Sequence, residues 1–219
     1  MRTGERVGVL GTGMVGQAIA SRLVDLGHDV VMGSRSATGE KVVAWAGSHP
    51  ERARAGTFAD AAAHAEQLLV SATGGTVSLD VLAACDEPDL AGKVLVDVSN
   101  PIASHGPLRL EPVMDDSNAE RIQRAHPDLR VVKSLNTMNC DVMVRPASVP
   151  GEHDVFMAGD DDDAKAEVRS LLESFGWPAG SVRDVGGLEA ARGLEMYLPF
   201  WISLRMTLGH NAFNIRVVT

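Results

Sequence analysis

The sequence predicts an α/β fold built on a doubly wound, mostly parallel sheet, with a small helical extension at the C-terminal end. Three observations predict it. Short runs that are apolar at nearly every position recur along the chain, as strands buried on both faces require. Stretches with apolar residues at helical spacing separate these runs. A glycine-rich turn joins the first run to the first helical stretch, and strands linked through helices imply right-handed βαβ units.

Val7-Gly8-Val9-Leu10 reads as the first buried strand. Met14 to Leu26 follows as a helix, with Val15, Ala18, Ile19, Leu23 and Leu26 on one face and Gly27 where a C-terminal cap belongs. His28 to Met32 reads as the second strand, and Leu68-Leu69-Val70 and Val94-Leu95-Val96 as further ones. Arg130 to Leu135 and Asp154 to Met157 continue the series, and Asp160 to Phe175 reads as a helix. The acidic run Asp160 to Asp163 after Gly159 suits a helix start, where carboxylates cap free N–H groups and complement the macrodipole, better than a metal site. Val182 to Val185 is a short last strand. From Leu188 to about Arg216 the pattern is helical, with a kink or break expected at Pro199. Residues 1–150 are expected to form the nucleotide-binding domain and residues 151–219 to complete the fold.

The chain has 219 residues, of which 45% are hydrophobic, enough for one domain with a sizeable core and too apolar for a disordered chain. Twenty basic against 29 acidic residues give a net charge of −9, which disfavours nucleic acid and anionic membranes as partners. No apolar run approaches the ~20 residues that span a bilayer. No signal-peptide pattern opens the sequence. Cys85 and Cys140 lie far apart, without disulfide-framework or metal spacing, so a reducing cytoplasm is expected. Aromatic residues are uneven: only Trp45 and Phe58 precede position 150.

Gly11-Thr12-Gly13-Met14-Val15-Gly16 is a GxGxxG between a predicted strand and a predicted helix, the context in which that string signals a Rossmann-type dinucleotide site. Gly11 permits the tight turn, Gly13 lets a pyrophosphate approach the backbone, and Gly16 lets the helix pack on the strand. An NAD site places a carboxylate at the end of the second strand, for the ribose 2′-hydroxyl. Here Gly33-Ser34-Arg35-Ser36 stands instead: two hydroxyls and a guanidinium, suited to a 2′-phosphate, so NADP(H) is the expected cofactor. Ser71-Ala72-Thr73-Gly74-Gly75, Ser99-Asn100-Pro101 and Ser134-Leu135-Asn136-Thr137-Met138-Asn139 follow other strand ends, where Thr, Asn and main-chain groups could meet the ribose and the nicotinamide. No nucleophile–base set is visible, and no pair of the seven histidines (His28, His49, His64, His105, His126, His153, His210) has zinc spacing; surface or turn positions are expected for them. No catalytic acid, base or metal ligand is therefore assigned. A hydride exchanged between two bound cofactors needs positioning more than proton chemistry.

With these residues the chain resembles the coenzyme F420-dependent NADP oxidoreductases. The resemblance rests on Gly11 to Gly16, Gly33-Ser34-Arg35, Val131-Val132-Lys133-Ser134-Leu135-Asn136-Thr137-Met138, Gly159 to Asp162, and Ala191-Arg192-Gly193-Leu194-Glu195 with Pro199. It implies hydride exchange between NADPH and a deazaflavin. Thr12 to Val15 would cradle the pyrophosphate, Ser34 and Arg35 would hold the 2′-phosphate, and Ala72, Asn100 and a residue from Asn136 to Cys140 would line the nicotinamide half. It also implies that the C-terminal helix, with Met196, Phe200, Trp201 and Met206, serves the second-cofactor pocket and a homodimer contact. The chain departs from the family at Thr73-Gly74, where known reductases carry a Pro–aromatic pair, and at Gly39, where some carry a basic residue, with Lys41 nearby. Three functions stay open on this reading: reduction of a deazaflavin, reduction of a small imine or carbonyl as in pyrroline-5-carboxylate reductases, and non-catalytic NADP(H) sensing.

Overall fold

The computed structural model describes residues 4–74, 77–102 and 115–219; Gly75 and His105 lie outside them. In chain order the elements are β1 (Arg6–Leu10), α1 (Met14–Asp25), β2 (Asp29–Ser34), α2 (Glu40–Ser48), β3 (Ala53–Thr57), α3 (Phe58–His64), β4 (Leu68–Ser71), α4 (Ser78–Leu82) and α5 (Glu87–Leu90). There follow β5 (Val94–Asp97), α6 (Asn118–Ala125), β6 (Arg130–Ser134), α7 (Cys140–Val144), β7 (Val155–Ala158), α8 (Asp162–Phe175), β8 (Val182–Asp184), α9 (Ala191–Met196) and α10 (Leu198–Leu208). Eight strands form one sheet in the order β3-β2-β1-β4-β5-β6-β7-β8. All neighbours are parallel except β6 and β7, which run antiparallel.

Alternation along the strands splits the core into two layers. Val7, Val9, Val30, Met32, Val70 and Val96 face one side, covered by α1, α2 and α8 through Ile19, Leu23, Trp45 and Phe175. Leu10, Val31, Leu69, Leu95 and Val131 face the other, covered by α3, α4 and α6 through Ala61, Leu82 and Ile122. Helices on both faces of a mostly parallel sheet are the doubly wound arrangement that the apolar runs predict. α8 starts as its acidic run suggests, with the Asp161 carboxylate accepting from the Ala164 N–H at 2.8 Å.

Three expectations need correction. β3 escapes the apolar-run criterion, because Ala-Arg-Ala-Gly-Thr is a sheet-edge strand with a charge and a glycine inside it. The C-terminal segment is not one helix to residue 216: a 3-10 turn, α9 and α10 follow one another, Pro199 lies in the first turn of α10, and Gly209 ends that helix at φ +75°. The break expected there is present, at Tyr197 between α9 and α10, and Pro199 starts the second helix, as its fixed φ and missing N–H favour. Among the histidines, His28, His126 and His153 are buried. His126 meets Glu87 at 2.9 Å, and His153 bridges the Pro146 carbonyl and the Asn214 amide, so their polar atoms are used structurally. No helix among the described residues is long and apolar enough to cross a membrane.

Candidate functional site

The chain winds outward from β1 through β2 to β3 and then returns to β4 on the other side of β1. The reversal leaves a crevice at the carboxyl ends of β1 and β4, the place where such sheets bind ligands. A cavity of about 660 Å³ opens there. Gly11, Thr12 and Gly13 border it on one side and Ala72, Thr73 and Gly74 on another.

The three motif glycines meet distinct constraints. Gly11 has φ +122°, and a Cβ on it would sit 2.6 Å from the Ala72 carbonyl oxygen. A Cβ on Gly16 would sit 2.1 Å from the Gly11 oxygen, so α1 packs on the turn itself. A Cβ on Gly13 would meet nothing within 4 Å. That open space lies at the start of α1, whose N-cap Gly13 offers no side-chain cap and whose first turn holds no acid. Free N–H groups and the positive end of the helix dipole are thus left for an anion, which is what a pyrophosphate needs. Gln17 Nε2 donates to the Thr12 carbonyl at 3.0 Å and steadies the turn. The Met14 side chain is exposed and Val15 packs against the core, and neither residue lines this cavity.

A second cavity of about 510 Å³ shares Thr12, Ser34, Arg35 and Phe58 with the first and adds Ser36, Gly39 and Lys41. Arg35 and Lys41 form no ion pair or hydrogen bond among the described residues, and Glu40 stands beside Lys41 on the rim. The hydroxyls shape the loop: the Ser36 N–H donates to Ser34 Oγ at 3.2 Å, and the Thr38 N–H to Ser36 Oγ at 3.3 Å. In the sequence Lys41 shows only as a basic residue near the strand end; its helix, α2, turns it to the cavity. Phe58, Val77, Asp80 and Val81 also line the larger cavity. They belong to or adjoin α3 and α4, short helices with too few turns to show a periodicity.

On the other side of the switch point the loops after β5 and β6 are tied together. Asn100 Nδ2 donates to the Asn136 carbonyl at 2.9 Å, and Asn136 Nδ2 donates to Asn100 Oδ1 and to the Leu194 carbonyl, each at 2.9 Å. Asn136 and Thr137 are buried, and Asn136 Oδ1 and Thr137 Oγ1 have no hydrogen-bond partner among the described residues. Pro101 is buried, and Met138 packs into the apolar core. Leu135, between β6 and Asn136, has φ +65°, a strained conformation for a branched residue. The sequence-predicted residues thus fall in two groups. Those from Gly11 to Gly13, Ser34 to Ser36 and Ala72 to Gly74 surround the two adjoining cavities, whereas Asn100 and Asn136, tied to each other, and Pro101, Thr137 and Met138 line neither of them.

Beneath the tie lies an ion cluster that sequence reasoning misses as such. Lys133 Nζ, fully buried, donates to Asp97 Oδ2 at 2.9 Å, to the Ser99 carbonyl at 2.5 Å and to Glu195 Oε1 at 2.7 Å. Glu195 also accepts from the N–H groups of Asn118 and Ala119. Burial pushes the Glu195 carboxyl up, against the pull of Lys133. The available signal was a lysine inside an otherwise apolar strand, since a buried charge must have a partner. The cluster and the Asn136–Leu194 bond fasten α9 to the strand ends, and α10 follows directly. Leu198 alone of α10 is buried, while Phe200 is 55% and Met206 74% exposed. Trp201 stacks on Phe213 at 5.5 Å.

Comparison with known proteins agrees with this geometry. The family model described as NADP oxidoreductase, coenzyme F420-dependent, matches residues 6–101. An F420-dependent NADP reductase of Methanothermobacter marburgensis is 31% identical over 214 residues, 92% of either chain. Rat metalloreductase STEAP3 is 32% identical over 200 residues, 90% of this chain but only 38% of that longer protein. The solved structure of a candidate F420-dependent NADP-reductase from Arthrobacter sp. FB24 superposes with a TM-score of 0.91 at 45% identity, covering 99% of this chain and all of that one.

Proposed function

The chain belongs to the coenzyme F420-dependent NADP oxidoreductase family, and from that premise we propose that it exchanges a hydride between NADPH or NADP+ and the deazaflavin coenzyme F420. The observation that carries the cofactor half is the pair of cations, Arg35 and Lys41, that form no ion pair among the described residues, beside a strand end without a carboxylate. Ser34, Arg35, Ser36 and Lys41 hold the 2′-phosphate, and the main chain from Gly11 to Gly16 holds the pyrophosphate. Ala72, Thr73 and Gly74, with the tie of Asn100, Pro101, Asn136, Thr137 and Met138, support the nicotinamide half. When bound, the nicotinamide gives or takes the hydride. The residues of this chain orient the ring and exclude water, which is where rate is gained when no proton relay is needed. The exposed apolar residues of α10 serve the acceptor side or the contact between two copies in a homodimer. The free thiols Cys85 and Cys140 fit a cytoplasmic protein. Mixing the protein with NADPH and oxidised F420 and following the deazaflavin absorbance tests the reading. Bleaching of that absorbance is expected, and no change in either direction overturns it.

A further inference from the structure

A carboxylate and a guanidinium border the larger cavity without meeting. Asp80, exposed in the first turn of α4, and Arg35, which follows β2, both line it. Neither forms an ion pair or a hydrogen bond among the described residues. Two opposite charges on one cavity that leave each other unpaired are available to a ligand between them. The walls between are apolar, supplied by Phe58, Val77 and Val81. Apolar walls suit a flat ring, a guanidinium stacks on such a ring's face, and a carboxylate takes hydrogen bonds from its edge.

We propose that Asp80 reads the base of the dinucleotide, accepting a hydrogen bond from the 6-amino group of adenine and rejecting a 6-oxo purine. The inference rests on the NADP(H) reading above. Thr12 and Ser34 are shared by both cavities, so a ribose whose phosphates sit at the start of α1 and between Arg35 and Lys41 lies beside them. The base leaves that ribose toward the larger cavity, the one that Asp80 borders. Adenine presents an amino donor at position 6. Hypoxanthine presents a carbonyl acceptor there, and an acceptor facing a carboxylate finds no proton to share.

The test is a calorimetric titration of NADPH and of its deamino analogue, with hypoxanthine in place of adenine, into the wild-type protein, Asp80→Ala and Asp80→Asn. The wild type should bind NADPH about tenfold tighter than the analogue, the size expected of a hydrogen bond to a charged group at a cavity rim. Asp80→Ala should bring the two to near parity by weakening NADPH alone. Asp80→Asn, whose amide holds both an acceptor and a donor, should also lose the preference while binding the analogue better than the wild type does. Equal binding of both dinucleotides by the wild type, or a preference that survives in Asp80→Ala, overturns the role of Asp80 and leaves the dinucleotide site standing. Failure of the wild type to bind either overturns the dinucleotide reading and this inference with it.

Discussion

At Gly16 an added methyl would sit 2.1 Å from a backbone oxygen, whereas at Gly13 it would meet nothing within 4 Å. The two glycines therefore answer different demands, packing at one and ligand access at the other. Gly16→Ala should lower stability by about 1–3 kcal/mol, because neither backbone segment can yield cheaply, and a denaturant midpoint measures it. Gly13→Ala should leave that midpoint in place and weaken NADPH binding. Equal midpoints for the two variants would contradict the assignment. On the proposed reading Arg35 and Lys41 divide the 2′-phosphate between them, so Arg35→Ala and Lys41→Ala should each weaken NADPH about tenfold and leave NADH nearly unchanged. A matching loss for NADH in both variants would show that these cations do not read the phosphate.

Among the elements, long ones and those with continuous apolar character are visible in the sequence, and short or edge ones are not. α1 and α8 carry whole turns of periodicity and their own end signals, and the central strands are apolar throughout. β3, α3 and α4 are held by tertiary contacts, and the residues that line the cavity from them stay hidden for the same reason. The Gly-rich turn and Ser34-Arg35 are legible because their chemistry is local. The tie of Asn100 to Asn136 joins residues on different strand ends, and nothing in either neighbourhood announces the other. The ion cluster is the element-scale joint, since Lys133 of β6 links β5 to α9. Lys133→Met should lower stability by roughly 3–5 kcal/mol, because Asp97 and Glu195 would be left buried without a counter-charge. Glu195→Gln should be milder, because one carboxylate still faces the ammonium. The folded chain holds the Glu195 proton to a higher pH than the unfolded chain does, since burial raises this carboxyl above its ordinary 4.5. Its contribution to stability therefore falls as pH climbs from 4.5 into the raised range and is flat beyond it. Urea midpoints across that window should decline less steeply in Glu195→Gln than in the wild type, and parallel declines would refute the linkage.

For the whole molecule, a net charge of −9 and a site proposed for an anionic dinucleotide are compatible because the field at the site is local. Arg35, Lys41 and the open start of α1 border the cavities, where Asp80 and Glu40 are the carboxylates in the lining. The aromatic residues concentrated after position 150 have a similar local logic. Trp177 and Phe175 fill the core, but Phe200 and Met206 face outward from a helix that buries little of itself. An apolar helix of this kind gains free energy when something covers it, and its exposed Phe200 and Met206 support the proposed contact. A second copy is the simplest cover, since a twofold contact sets one α10 against the other and buries both. Sedimentation at micromolar concentration should then give twice the 23.2 kDa mass of the chain. The double variant Phe200→Asp, Met206→Asp should sediment at the single-chain mass, because two carboxylates per copy would face their equivalents across the axis. NADPH binding should persist in that variant, since the cradle at Gly13 and the cations at Arg35 and Lys41 lie on other elements. A wild-type mass of 23.2 kDa would remove the dimer and leave the acceptor as the ligand of α10.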